Sequence, residues 1–236
     1  MKTAIVTGAS NGIGKVIAFR LASLGYSLVI VGRNEKQLAE LKVEIEKTGA
    51  SCLFLAVDLS NENSPELIIQ ETISHFGQLD LLINNAGTAH SSNIAETDTA
   101  TWNKLFHVNA RAPFFLCKAA VPHLKKSENP IIINIGSVVG FKGYEGQAAY
   151  SSSKHALAGF TKVLAKEVQD DGIQVHLISP GGVNTEMVQE MRPDINTDEL
   201  IQPEEIAELI EFLVTRKGRG TIDHFYLRRK SGRAFD

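Results

Sequence analysis

Seven short apolar runs rich in β-branched residues punctuate this sequence, and each is followed by a longer stretch whose apolar residues recur at helical spacing. The runs predict strands near residues 2–7, 27–31, 51–57, 80–84, 131–136, 173–178 and 221–227. The stretches between them predict helices near 12–24, 34–48, 65–76, 98–124, 147–170 and 203–215. Strands of a parallel sheet are covered on both faces and lose the in-out alternation of half-exposed strands. Leu28-Val29-Ile30-Val31 and Ile131-Ile132-Ile133 read that way. Ser64-Pro65-Glu66 supplies an N-cap, a first-turn proline and an acid, and Gln202-Pro203-Glu204-Glu205 repeats the proline-acid start. No repeat, low-complexity tract or linker interrupts the rhythm. The expectation is one doubly wound α/β domain over residues 1–236, built on a mainly parallel seven-stranded sheet with helices on both faces. Ligands then belong at the carboxyl ends of the strands.

A hydrophobic content of 43% supports a sizeable core for that sheet, and a formal net charge of -3 offers no general attraction to nucleic acid or an anionic membrane. Neither partner is expected. Met1-Lys2 runs straight into the strand-like Thr3–Thr7, and no apolar stretch reaches the roughly 18 residues of a membrane helix. A cytoplasmic location is the resulting expectation. Cys52 and Cys117 lack metal-ligand spacing and are expected to be buried, reduced thiols; the histidines, His107 and His155 among them, form no H-E-x-x-H pattern, so no metal is expected.

Directly after the first strand comes Thr7-Gly8-Ala9-Ser10-Asn11-Gly12-Ile13-Gly14, and a helix follows. Glycines at a strand-to-helix turn let the backbone approach a phosphate, and the helix N–H groups then face the anion. This is the pattern of a diphosphate-binding loop. A nucleoside-triphosphatase loop fits poorly, because Ala9 stands where its first glycine is required and Val16 replaces the magnesium-binding hydroxyl. At the end of the second strand, where an acid would bind a ribose 2'-hydroxyl, the chain has Gly32-Arg33-Asn34. An arginine there suits a 2'-phosphate, so the expected cofactor is NADP(H).

Tyr150 and Lys154 lie four residues apart on a helical stretch and share a face. A fixed ammonium favours a phenolate, so Lys154 is expected to lower the pKa of Tyr150 toward the range of a working acid-base catalyst. Ser137, just past the fifth strand, has a hydroxyl able to hold a carbonyl oxygen.

Taken together, the glycine loop, Asp58-Leu59, Asn84-Asn85-Ala86-Gly87, Asn109, Ser137, Tyr150, Lys154 and Pro180-Gly181 resemble the short-chain dehydrogenase/reductase family in order and spacing over nearly the whole chain. The resemblance implies that Gly8, Ser10, Asn11, Gly12, Ile13 and Gly14 hold the diphosphate. It implies that Asp58 and Leu59 border the adenine, and that Asn85, Ala86 and Gly87 support the cofactor. Pro180, Gly181, Val183 and Thr185 would line the nicotinamide, Lys154 would bind its ribose, and Asn109 would hold a water of the proton relay. Catalysis would rest on Asn109, Ser137, Tyr150 and Lys154. The family also implies a homo-oligomer, a tetramer or dimer, with the 98–124 and 147–170 helices at its interface.

The stretch Gly136–Gly140 through Gly146–Tyr150 resembles bacterial 3-oxoacyl-(acyl-carrier-protein) reductases. Members that dock the acidic carrier use basic residues where this chain has Glu128 and Asp171, which would repel it. The expected substrate stretch, 186–201, is also brief. A small ketone, diketone or short 3-oxo ester therefore competes with a carrier-bound chain as the small-molecule carbonyl substrate. A non-catalytic dinucleotide-binding sensor is the reading from another class.

Overall fold

The computed structural model describes residues 2–191 and 195–233. Strands β1 (Thr3–Thr7), β2 (Ser27–Gly32), β3 (Cys52–Ala56), β4 (Leu81–Asn84), β5 (Ile131–Ile135), β6 (Gln174–Pro180) and β7 (His224–Leu227) form one sheet of order β3-β2-β1-β4-β5-β6-β7. Every neighbouring pair is parallel. All residues of β1, β4 and β5 are buried, as their unbroken apolar character demands. Strand order reverses between β1 and β4, which opens a crevice at their carboxyl ends.

Helices cover both faces. Helices α1 (Gly12–Ser23) and α2 (Glu35–Glu46) pack on one side, where the later α8 (Pro203–Thr215) lies against α1 and Arg20 pairs with Glu211. On the other side α3 (Ser64–Phe76), α5 (Ala112–Leu124) and α6 (Ala148–Glu167) close a second apolar layer. Gln202 and Glu205 form a reciprocal capping box ahead of Pro203, so the α8 start read from sequence holds. At α3 the cap position falls on Asn63, and the Ser64 hydroxyl donates instead to the Asp58 carbonyl at 2.7 Å.

Four expected elements differ, the last strand among them, which starts at His224 rather than near residue 221. The 98–124 helix is divided into α4 (Thr99–Phe106), a π-helical turn over His107–Arg111, and α5. Pro113 has no N–H with which to close the i→i−4 bond to Asn109, and the chain widens just before it. The expected substrate stretch 186–201 contains a short helix, α7 (Glu186–Met191), and a 3₁₀ turn over Thr197–Glu199; its residues 192–194 lie outside the described residues. Strand β6 runs on to Pro180, two residues beyond its sequence estimate. Cys52 and Cys117 are both buried free thiols. Among the described residues no helix is long and apolar enough to cross a membrane, and no group of three potential metal ligands occurs.

Candidate active site

A groove of about 950 Å³ runs along the carboxyl ends of the strands, and each strand from β1 to β6 delivers its following loop to the wall. The glycine loop forms its floor. Gly8 and Gly12 adopt left-handed φ values of 66° and 52°. A Cβ on Gly8 would lie 2.8 Å from the Ala86 Cα, so only glycine lets the β1 and β4 loops meet. Gly14 does not line the groove. It sits one layer behind, where a Cβ would fall 2.2 Å from the Gly8 carbonyl oxygen.

At the start of α1 no acidic side chain occupies the first turn and the Asn11 side chain does not cap the helix. Its amide donates to Glu186 of α7 at 2.8 Å, leaving the helix start to offer its N–H groups to an anion. Ser10, Gly12 and Ile13 line the groove beside it. The two loops are locked by Thr7, whose hydroxyl accepts the N–H groups of Asn85 and Ala86, both at 3.0 Å. Asn85 in turn donates to the carbonyls of Thr7 and Gly8 at 2.9 and 3.1 Å. The Asn85–Gly87 backbone is thereby fixed along the groove wall. This cradle, open to the groove and too tight for side chains, fits a dinucleotide.

One end of the groove is lined by Arg33, Asp58 and Leu59, as the sequence suggests. The Ser60 N–H donates to Asp58 at 2.8 Å. That bond, and after it the facing Arg33 and Lys104 cations, hold the Asp58 carboxyl below its ordinary range against the opposing effect of burial.

At the other end Ser137, Tyr150 and Lys154 converge, flanked by Pro180, Gly181, Val183 and Thr185. Ser137 lies close enough to the Tyr150 phenol to oppose the effect of its burial, and its Oγ accepts the Val139 N–H at 3.3 Å. Lys154 is buried, and its Nζ donates to the Ile135 carbonyl at 3.1 Å. The electrostatics correct the sequence expectation. Burial pushes the Tyr150 pKa up, Ser137 opposes it, and Lys154 is not among the groups that move it. Lys154 is itself pushed down by burial to about 8. Asn109 lies outside the groove wall, in the π-helical turn. Its Nδ2 donates to the Thr88 carbonyl at 2.8 Å and to Ser153 Oγ at 3.0 Å, and its Oδ1 accepts the Thr88 N–H at 2.8 Å. It ties the β4 loop to α6.

A family model described as short chain dehydrogenase matches residues 2–196. The chain belongs to the short-chain dehydrogenase family. It is similar to a diacetyl reductase [(S)-acetoin forming] of Staphylococcus epidermidis, 38% identical over 79% of this chain and 73% of that one. A 3-oxoacyl-[acyl-carrier-protein] reductase of Synechocystis is 33% identical over 91% and 89% of the two chains. Among solved structures, a metagenomic short-chain oxidoreductase in complex with NADP superposes with a TM-score of 0.85, at 31% identity and 97% coverage of both chains.

As a short-chain dehydrogenase the protein is an oxidoreductase of the carbonyl and alcohol class. Several of its groove residues escape a reading of the sequence. Thr7, which heads the glycine motif in sequence, is buried behind the groove and organises both loops, a role the motif alone does not specify. Lys104 faces Asp58 from α4; Glu186, Met187, Glu190 and Met191, inside the expected substrate stretch but not singled out there, reach the groove from α7. Their placement depends on how those helices pack, for which no local motif exists.

Proposed function

We propose that this short-chain dehydrogenase is an NADP(H)-dependent ketone reductase that forms secondary alcohols. The convergence of Ser137, Tyr150 and Lys154 at one end of a dinucleotide-fitting groove carries the reading. A bound nicotinamide supplies the hydride. The Tyr150 phenol, kept protonated by burial, donates its proton to the substrate oxygen, which the Ser137 hydroxyl orients. Lys154 holds the nicotinamide ribose, and Asn109, whose side chain is taken up by Thr88 and Ser153, keeps the β4 loop and α6 in register rather than holding a water of the relay.

NADP(H) is favoured over NAD(H) because Arg33 lines the adenosine end with Lys104 near by, and a charge-assisted hydrogen bond contributes roughly 1.5–3 kcal/mol. Replacing Arg33 by Asp is expected to lower the NADPH-to-NADH ratio of kcat/KM by about 10- to 150-fold. An unchanged ratio rejects the cofactor assignment.

The substrate is a 3-oxoacyl compound or a small ketone, diketone or 3-oxo ester, a range that includes the compounds after which the diacetyl reductase and the 3-oxoacyl-[acyl-carrier-protein] reductase are named. Carrier-protein docking is disfavoured by Glu128, although Asp171 is partly neutralised by Lys125 at 2.8 Å. NADPH oxidation against 3-oxoacyl thioesters, short 3-oxo esters, diketones and cyclic ketones, with NADH as control, discriminates these. A homo-oligomer is also proposed. Its basis is the exposed apolar surface of Trp102, Phe114 and Val163 around a hollow between α4, α5 and α6.

A further inference from the structure

The groove separates its charges by position. Among the described residues, its adenosine end has the cations Arg33 and Lys104 beside Asp58, whereas α7 lines the groove with two carboxylates, Glu186 and Glu190. Residues four apart lie on one helix face, so both acids line the same wall. Met187 and Met191, also four apart, line it beside them with flexible apolar side chains. Glu186 is fixed toward the glycine loop by Asn11, and Glu190 stands one turn further along, with no salt bridge among the described residues. The sequence from 186 to 194 adds one cation, Arg192, and one acid, Asp194, so the segment remains acidic. Among the described residues that line this groove beyond Arg33 and Lys104, Lys154 is the only lysine or arginine, and it is buried and turned to the Ile135 carbonyl; Arg229 packs behind Gly182.

We infer that α7 is a charge filter: Glu190, supported by Glu186, selects uncharged carbonyl substrates and rejects those bearing a carboxylate or phosphate near the ketone. The inference rests on the ketone-reductase reading and narrows its substrate class to neutral small ketones and 3-oxo esters. A substrate anion entering beside Met187 and Met191 meets two like charges before reaching Tyr150, and the penalty grows as water is displaced. Because the α7 acids are partly solvent-exposed, the effect is several-fold rather than absolute, and salt weakens it over a screening length of about 8 Å at physiological ionic strength.

The test uses a substrate pair with one 3-oxo chain, 3-oxobutanoate and its ethyl ester, with saturating NADPH. The wild type is expected to prefer the ester by about 10-fold or more in kcat/KM. Glu190→Gln is expected to raise the acid-to-ester ratio by about 3- to 10-fold, and Glu190→Lys by more. Added salt should raise the ratio in the wild type and raise it less in Glu190→Gln, where Glu186 remains. Equal wild-type kcat/KM for the pair, or a ratio unmoved by both substitutions, overturns the filter while leaving the reductase intact. If neither compound is turned over, the reductase reading fails separately. The filter is then judged by calorimetry of 3-hydroxybutanoate and its methyl ester with the NADPH-loaded protein. Tighter ester binding that narrows in Glu190→Gln supports it, and equal binding overturns it.

Discussion

Lys154 is an ammonium held in the protein interior, and its ordinary pKa of 10.5 falls to about 8 because burial disfavours the charge. Between those two values the unfolded chain binds a proton that the native protein has released, so this residue's contribution to stability rises with pH across the window from about 8 to 10.5. Lys154→Met removes the titration. The stability of wild type relative to the variant is expected to improve by up to about 3 kcal/mol as pH rises through the window, read by urea unfolding at several pH values. A difference that stays flat shows that Lys154 titrates normally. The same burial keeps the Tyr150 phenol protonated, which suits the proton donor of a reduction. Residue types and spacing revealed Tyr150, Lys154 and Ser137, but not the direction of their pKa shifts, because desolvation depends on everything packed around a group.

At the scale of elements, β4, β5, α5 and α6 are tied together by a buried polar chain. Asn84 of β4 donates to Asn134 of β5 at 2.8 Å, Asn134 donates to Thr161 of α6 at 2.8 Å, and Thr161 donates to the Leu157 carbonyl at 2.7 Å. Asn84 also reaches Cys117 Sγ of α5 at 3.3 Å. Asn134 is fully buried, so Asn134→Leu strands the Asn84 amide and leaves Thr161 without its donor. A loss of about 2–4 kcal/mol is expected in denaturant unfolding, at the usual cost of about 1–3 kcal/mol for each orphaned group. A loss below about 1 kcal/mol contradicts the role. The strands were legible because burial on both faces leaves an unbroken apolar signature. The division of 98–124 was less so: Pro113 marks a break, but whether a proline ends, kinks or widens a helix is decided by its packing. Helix α7 was hidden for a simpler reason, since six residues hold too few turns for periodicity to show.

For the whole molecule, alternation of strands and helices was enough to read a doubly wound, mainly parallel seven-stranded sheet, and the switch between β1 and β4 seen in the structure places the groove where the glycine loop requires it. Assembly is less legible, because a surface that meets another copy has no periodic signature of its own. Phe114 is 48% exposed although it stacks edge-on against Phe160 at 5.6 Å, as suits a contact completed by a second subunit. Phe114→Glu is expected to lower the oligomer mass measured by light scattering, and an unchanged mass assigns that face to solvent. The central claim concerns proton transfer at the far end of the groove from Arg33. It is tested most directly by NADPH oxidation with diacetyl or ethyl 3-oxobutanoate, comparing wild type with Tyr150→Phe after confirming that both bind NADPH. Turnover by the wild type and a loss of about 10²- to 10⁴-fold in the variant are predicted. Equal turnover by the two proteins, or NADPH binding without wild-type turnover of any ketone, contradicts the account.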